Sequence, residues 1–271
     1  MSYNNFLATV WSEKTQKSLE SYTSLWDDCN HEFEGEVKQN GKVKVLGVGR
    51  PTIGKYTGKI EGAEEVKDAA VYIDITQANY FNFAVDDIDK AQSNEGLMPA
   101  LMDEAAQGLA EKREIYIASM LTAKGLAGSE QTTVTTEAEA KALVDAAFVE
   151  LWANGVRVGA PTVLTLSPWF YNLFKNQLVS VSTDNVKMLS KGIVGMYNGA
   201  EVKINNLLQQ SAGYDCMLLR TKKAIAAVGQ IQETEAYRPE NGFKDAVKGL
   251  DVYGANIIRP KELYILRAQQ G

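Results

Sequence analysis

The residues best suited to catalysis are few and lie near the start of the chain. His31 is the single histidine, and Cys29, one of two cysteines, precedes it by two positions. A thiolate beside an imidazole base is a nucleophilic pair, but residues two apart on a helix face different sides. A Ser-His-Asp triad would need His31, and no Gly-x-Ser-x-Gly elbow occurs. The sequence predicts a packed cysteine, a histidine at a helix end and no catalytic residue.

Motifs for metals and nucleotides are incomplete. His31-Glu-Phe-Glu34 is not the His-Glu-x-x-His zinc pattern, and Cys29 and Cys216 are too far apart to suggest a ligand set or a disulfide framework. Gly47-Val-Gly-Arg-Pro51 begins like a dinucleotide loop but reaches a proline where a helix should open. Gly192–Gly199 lacks the Lys-Ser/Thr of a phosphate loop. We expect no metal and no cofactor.

Charged clusters leave two interpretations open. Asp86-Asp-Ile-Asp89 and Asp103-Glu104 could bind a cation or act in acid/base chemistry, but their spacing is not that of an EF-hand, which favours solvated or interface acids. Several lysines could contact acidic patches on a neighbouring subunit or form a solvated face. They are Lys38, Lys42, Lys44, Lys55, Lys59 and Lys67.

The composition is that of a globular protein. The chain has 271 residues, 45% of them hydrophobic, with 28 basic and 34 acidic side chains and a net charge of −6. Non-specific binders of polyanions are more often basic. No basic start precedes a long apolar run, and no run reaches the roughly 18–20 apolar residues of a membrane span. We expect a soluble protein, cytoplasmic at synthesis, without a membrane partner.

Two N-terminal elements have little to pack on locally. Residues 12–31 are predicted as a helix with one apolar face. The residues of that face are Thr15, Leu19, Tyr22, Trp26 and Cys29. Residues 33–86 alternate at period two in several places, with an Asn40-Gly41 turn signal and a middle rich in glycine and lysine. This segment predicts a hairpin that projects from the body.

The rest of the chain predicts a compact α/β body. A helix over Leu97–Thr122 would be about 39 Å long and could act as a spine. Thr136-Glu-Ala-Glu139 is a capping box for the next helix, which stops at Asn154-Gly155. Strand Thr162–Leu166 and a helix opened by Ser167-Pro168 continue a βα alternation. Further strands are predicted at Gly199–Asn205, Ala224–Gly229, Gly242–Val247, Leu250–Ile258 and Glu262–Leu266.

An architecture without catalytic residues predicts self-association. The projecting hairpin, the N-terminal helix and the spine helix all need partners to cover their apolar faces, so we expect a homo-oligomer with interlocking contacts. The candidate inter-subunit contacts are Trp11, Leu19, Tyr22, Trp26, Lys42, Lys44, Arg50, Lys55, Tyr56 and Lys59.

The order of several segments resembles a known family. The segments are Trp11-Ser-Glu13, Phe33–Val37 with Gly41–Val45, Tyr80–Ser93, Gly195–Val202, and Phe243–Gly254 with Arg259-Pro260. In this order they resemble the major capsid proteins of tailed phages with the HK97-like fold, particularly the P22-coat-like branch, over nearly the whole chain.

The resemblance implies an α+β chain. It implies an N-terminal arm at 1–32, an extended β-hairpin loop at 33–86, a peripheral domain at 87–135 and 228–271 containing the spine helix, and an α/β axial domain at 136–227. Such a structural protein self-assembles, as hexamers and pentamers, into the icosahedral capsid of a virion. The shell would enclose double-stranded DNA without sequence-specific binding.

Two departures from relatives bear on partners. Some relatives carry an N-terminal scaffolding extension, whereas this chain starts at the arm, so a separate scaffolding protein is expected beside a portal. Some relatives form Lys–Asn cross-links, but nothing marks Lys55 or Lys59 as reactive, and we expect none.

Three alternatives remain. The same fold could form an encapsulin-like compartment shell around an enzyme cargo. An α/β enzyme would be a monomer or small oligomer with a concave polar pocket, which the residue inventory disfavours. A tail-tube or head-decoration protein would be small and rich in strands, which the spine helix and the α/β part disfavour.

Overall fold

The computed structural model describes residues 19, 23–33, 41–47, 55, 69–86, 97–123, 125–178, 193–240 and 244–271. The helices in these ranges are α1 (Leu97–Met120), α2 (Glu137–Ala153) and α3 (Pro168–Phe174), with short 3-10 turns at Lys175–Gln177 and Pro260–Glu262. The strands are β1 (Lys42–Gly47), β2 (Ala69–Asp74), β3 (Gln77–Asp86), β4 (Thr132–Val134), β5 (Thr162–Leu166), β6 (Ile193–Tyr197), β7 (Ala200–Ile204), β8 (Gln210–Ser211), β9 (Tyr214–Thr221), β10 (Ile225–Tyr237), β11 (Lys244–Ile257) and β12 (Leu263–Gln270).

A seven-stranded sheet forms the larger layer. Six strands follow the order β4-β12-β9-β5-β7-β6, and β8 pairs with β9. β12 is parallel to β4 and β5 is parallel to β7, while the other neighbours are antiparallel. Helices α2 and α3 cover one face, where Phe148 and Met217 share a core. On the other face Leu218 packs with Ile117 of α1. Because both faces are covered, β9 carries an unbroken apolar run, Cys216–Leu219.

A three-stranded antiparallel sheet, in the order β10-β11-β3, forms the second layer. Helix α1 lies over one of its faces, where Phe81 packs against Ala106 and Leu109. Gly249 stands opposite Phe81 in the register, and a Cβ there would lie 2.4 Å from the ring. The ring therefore occupies the space that a side chain at Gly249 would need.

A two-stranded hairpin packs on this second sheet. β1 and β2 pair from Lys42↔Asp74 to Gly47↔Ala69. The start of β1 follows Gly41, whose φ of 65° suits a residue without a side chain. The strand expected before Asn40 lies outside the described residues.

Local rules explain where the helices begin. The Thr136 hydroxyl accepts a hydrogen bond from the Glu139 amide, and the Glu139 carboxylate accepts one from the Thr136 amide, which completes the capping box. Pro168 is the first residue of α3, where its missing N–H costs nothing. The structure confirms these starts, the spine helix as α1 and the strand at Thr162–Leu166.

Two predictions about elements are wrong. Residues 24–29 form turns rather than the end of a helix over 12–31; of the earlier part the structure describes Leu19, whose backbone is helical. The two strands predicted within 242–258 are the single strand β11. β4 and β12 lie in the segments 87–135 and 228–271 and join the seven-stranded sheet. The division into a peripheral and an axial domain stays a prediction.

Candidate assembly site: the N-terminal segment and the hairpin base

A buried carboxylate of α1 holds the N-terminal segment, which we define as residues 23–31. Glu114 is 2% exposed and accepts hydrogen bonds from three consecutive backbone amides. The donors are Ser24, Leu25 and Trp26, at 2.9, 3.0 and 3.0 Å. The Ser24 hydroxyl and Asn205 Nδ2 also donate to Oε2, at 3.1 and 2.8 Å. Charge-assisted bonds are the stronger ones, so Glu114 fixes both the position and the direction of the segment.

Trp26 fills a slot beside this carboxylate. Arg113 Nε donates to Asp251 Oδ2 at 2.9 Å, and both side chains are buried. The guanidinium carbon of Arg113 lies 4.7 Å from the centre of the Trp26 ring, a cation–π contact. A Cβ on Gly229 would lie 2.9 Å from the same ring. The slot is therefore formed by the Arg113–Asp251 salt bridge and by β10, where Gly229 leaves room for the indole.

Arg220 of β9 contacts the segment from the seven-stranded sheet. Its Nη2 donates to the Leu25 carbonyl at 2.6 Å, and its Nη1 lies 3.3 Å from Cys29 Sγ. Burial raises the pKa of the Cys29 thiol above its usual 9.0, although Arg220 acts in the opposite direction. Cys29 is therefore a protonated, packed thiol at neutral pH.

Two further contacts complete the docking of the segment. Lys203 of β7 forms a buried ion pair with Asp28, with 2.7 Å between Nζ and Oδ2. Asn30 adds a parallel bridge to β10: its amide donates to the Ile225 carbonyl at 2.8 Å, and the Ala227 amide donates to the Asn30 carbonyl at 3.1 Å.

His31 packs against Trp26. Its Nε2 lies 2.9 Å from the Trp26 carbonyl, and its ring is tilted against the indole at 5.8 Å between centres. Cys29 Sγ donates instead to the Leu25 carbonyl at 3.3 Å. Within the described ranges no group of three or more His, Cys, Asp or Glu could hold a metal ion. No helix in the same ranges is long and apolar enough to cross a membrane.

The base of the predicted extended loop is anchored on the three-stranded sheet. Residues of β1 and β2 share a buried core with β10, and these are Val43, Val45, Ile73, Ala226 and Val228. The backbones of β2 and β11 lie close together, since a Cβ on Gly254 would lie 2.3 Å from the Asp74 carbonyl oxygen. Asn256 Nδ2 donates to the Tyr72 carbonyl at 2.8 Å. The hairpin base is therefore held in a fixed position on β10 and β11.

The same face of this sheet is open at its other end. Tyr80 of β3 is 78% exposed. Asn82, Lys248 and Glu235 stand in one row across the three strands, with 2.7 Å between Lys248 Nζ and Glu235 Oε2. An aromatic ring beside polar and charged groups is typical of the polar part of an interface.

The structure places some of the predicted contact residues and not others. Leu19 and Trp26 are 3% and 4% exposed within their own chain. Their prediction as inter-subunit contacts is therefore corrected, because covered side chains have no surface to offer. Lys42 is exposed and pairs with Asp74 at 3.2 Å, and Lys55 is exposed. Lys44 lies in β1. Trp11, Tyr22, Arg50, Tyr56 and Lys59 lie outside the described residues.

Sequence reasoning missed the polar residues that hold the segment. Arg113 and Glu114 occupy positions three and four residues from buried apolar residues of α1, including Ala110 and Ile117. Charges on an apolar helix face are a signal of buried pairing. Arg220 likewise follows directly on the apolar run of β9. These positions indicated buried charges, but not their partners.

Comparison with known proteins identifies the family. The sequence model of a family described as phage capsid protein matches residues 68–266. No curated protein matches the chain. A structure of Mycobacterium phage Che8 has 26% identity over 90% of both chains and a TM-score of 0.68. The capsid of Cyanophage P-SCSP1u has 16% identity over 87% of this chain and 85% of that chain, with a TM-score of 0.65. The holo-SrpI encapsulin complex from Synechococcus elongatus has 11% identity, covers 85% of this chain and 82% of that chain, and has a TM-score of 0.58.

The chain belongs to the phage capsid protein family. It has the HK97-like fold, and it is a structural protein, the major capsid protein that forms the shell of a phage virion. The predicted family, fold class and function are confirmed. The P22-coat-like branch stays a prediction. The likeness to encapsulin shows the shared fold alone.

Proposed function

We propose that this chain assembles, as hexamers and pentamers, into an icosahedral shell that encloses the double-stranded DNA genome of a tailed phage. The family match across 68–266 carries this proposal. The shell holds DNA by enclosure, without sequence-specific contacts and without enzymatic activity. A net charge of −6 supports weak contact with phosphate.

The proposed contacts between subunits come from the arm and the loop. Residues 1–32 form the arm, 33–86 the extended loop that lies over a neighbour, 87–135 and 228–271 the peripheral domain, and 136–227 the axial domain. β4 and β12 belong to the same sheet as the strands of the axial segment. The remaining candidate contacts are Trp11, Tyr22, Lys42, Lys44, Arg50, Lys55, Tyr56 and Lys59. The anchored hairpin base supports this proposal, because a fixed base aims the loop in one direction.

The proposed partners beyond the chain itself are a portal and a separate scaffolding protein. Before assembly the chain would be soluble in the host cytoplasm. An encapsulin-like shell with an enzyme cargo is the alternative. Co-expression with genomic neighbours separates the two, since a terminase and portal accompany a phage shell and a cargo enzyme accompanies a compartment.

Electron microscopy of negatively stained particles tests the assembly. The purified chain, alone and co-expressed with its genomic neighbours, should give round shells tens of nanometres across. Nucleic acid protected from nuclease inside shells made during infection supports the genome role. Small particles under every condition, or shells that retain only a protein cargo, would overturn the proposal.

A loop truncation tests the role of the extended loop. Deleting residues 48–66 leaves Lys67-Asp68 between Gly47 and Ala69, which are register partners, so a two-residue hairpin closes β1 onto β2. Lys67→Asn with Asp68→Gly supplies the residues that such turns prefer. We expect a folded chain, with the amide exchange of α2 unchanged, that fails to form shells. A normal yield of shells would remove the loop from the assembly contacts.

A further inference from the structure

The N-terminal segment joins both sheets of the molecule. Arg220 and Lys203 bind it from β9 and β7 of the seven-stranded sheet. Asn30 bridges it to β10 of the three-stranded sheet, and Glu114 holds it on α1. Helix α1 also contacts both sheets: Ala106 and Leu109 pack against Phe81 of the three-stranded sheet, and Ile117 packs with Leu218 of the seven-stranded sheet. The segment and the helix therefore connect the same two layers.

The chemistry of this junction resists sliding. Apolar contacts tolerate small shifts, whereas a buried polar group that loses its hydrogen-bond partner keeps the full cost of its desolvation. Glu114 receives three consecutive amides and two side-chain donors, so no neighbouring register of the segment satisfies it equally. Arg220 is fully buried, and its Nε has no hydrogen-bond partner among the described residues. Its Nη2 and Nη1 therefore depend on the Leu25 carbonyl and on Cys29 Sγ as hydrogen-bond acceptors.

We propose that residues 23–31 act as a brace that fixes the seven-stranded sheet relative to the three-stranded sheet, with Glu114 as its positioning residue, and that this orientation sets the size of the shell. The inference rests on the formation of a shell by this family and not on the loop contacts proposed above. A closed shell is built from many copies of one chain, so the angle between the two sheets of that chain affects the contacts of every copy, in hexamers and pentamers alike. A small change in that angle therefore accumulates into a different curvature.

The test compares Glu114→Gln with the wild-type chain, both at full length. Gln keeps the shape but replaces one acceptor oxygen by a donor and removes the charge. Amide hydrogen exchange at Ser24, Leu25 and Trp26 should become about tenfold faster or more. The diameters of the shells should spread or shift, with unclosed forms among them. Asn205→Ala, which removes one donor to Glu114, is the milder variant if Glu114→Gln does not fold.

Two controls separate a positioning role from loss of stability. Glu111→Gln alters an exposed carboxyl one turn earlier on α1 and should change neither exchange nor diameter. Leu164→Ala removes buried volume from the core between β5 and α2, away from the segment. It should lower the melting temperature and leave the diameters unchanged.

Two results would overturn the proposal. If Leu164→Ala spreads the diameters as much as Glu114→Gln at an equal loss of melting temperature, stability alone sets the size. If the exchange of the three amides rises in Glu114→Gln while the diameters stay at the wild-type value, the segment is docked but does not set the curvature. Absence of any shell from the wild-type chain would instead refute the proposed function.

Discussion

At the scale of residues, buried charge is concentrated around Trp26. Arg113 and Asp251 are 6% and 0% exposed, and their pair supports the indole ring from one side. A buried pair is weak evidence of net stabilisation, but removing one partner leaves an uncompensated charge in the interior. This network therefore matters most through what its disruption costs.

Asp251→Asn should strongly destabilise the chain. We expect a loss of about 3–5 kcal/mol in the free energy of unfolding, because Arg113 remains charged and buried. Denaturant titration followed by tryptophan fluorescence measures it. Lys42→Ala is the control: its pair with Asp74 is 64% and 53% exposed and should be worth less than about 1 kcal/mol. Equal losses in the two variants would contradict the assignment of Arg113 and Asp251 as a buried pair.

At the scale of elements, local motifs set the ends of helices and close packing sets the position of the hairpin. The capping box ties Thr136 to Glu139 within one turn of α2. The hairpin base, in contrast, depends on a contact between Asp74 and Gly254, which are far apart in the sequence. The two cases give predictions of different kinds.

Glu139→Gln should change the pH dependence of stability. The Thr135 amide, then the Thr135 hydroxyl and the Thr136 amide, lower the pKa of the Glu139 carboxyl from 4.5. A carboxyl whose folded pKa is lowered stabilises the chain above its unfolded pKa and loses that contribution as the pH falls through the folded pKa. The difference in melting temperature between wild type and variant should be largest above about pH 5 and shrink in acid. A difference independent of pH between 3 and 7 would contradict the capping role.

Gly254→Ala should displace the hairpin base from the sheet. The new Cβ would lie 2.3 Å from a backbone oxygen, which cannot rotate away, so we expect a loss of about 1–3 kcal/mol in the free energy of unfolding. Amide exchange in β1 and β2 should rise. Gly108→Ala is the matched control. A Cβ at this position of α1 would meet no other atom of the described residues within 4 Å beyond the helix's own backbone, and alanine should stabilise the helix by about 0.5–1 kcal/mol. Gly254→Ala as stable as Gly108→Ala would contradict the contact.

The difference in sequence range explains which features could be predicted. Thr136 and Glu139 act over three positions, so the motif alone gave the start of α2. Glu114 binds Ser24 at a separation of 90 positions, and no local pattern links them. β9 was missed because an apolar run covered on both faces has no period of two. Residues 24–29, which were predicted as helix, form turns, and the amides of Ser24, Leu25 and Trp26 donate to the distant Glu114 carboxylate instead of to carbonyls of a helix.

At the scale of the whole molecule, the family places this chain in a shell, where each copy is a ligand of its neighbours. Anything that binds the folded chain and not the unfolded chain raises its apparent stability. The stability of the assembled protein is therefore the sum of the fold and of its contacts. The chain with the shortened loop is designed to keep the stability of the fold and to lose the stability that comes from contacts between subunits.

Assembled wild-type shells should melt at a higher temperature than the loop-truncated chain at equal protein concentration. We expect a gap of about 2–8 °C, as 1–2 kcal/mol of association gives for a chain of this size. Differential scanning calorimetry measures it. Gly108→Ala should raise both temperatures by similar amounts. Identical midpoints for shells and truncated chains would mean that loop-dependent assembly adds nothing to the stability of the fold.

The position of β12 has a consequence for the timing of folding. This strand lies between β4 and β9, and the Gly271 amide donates to the Val134 carbonyl at 3.1 Å. Residues 263–270 are synthesised after all the other strands that the structure describes, so β4 and β9 are made before the strand that lies between them. A polypeptide released early, before this strand is made, leaves β4 and β9 without the strand that joins them.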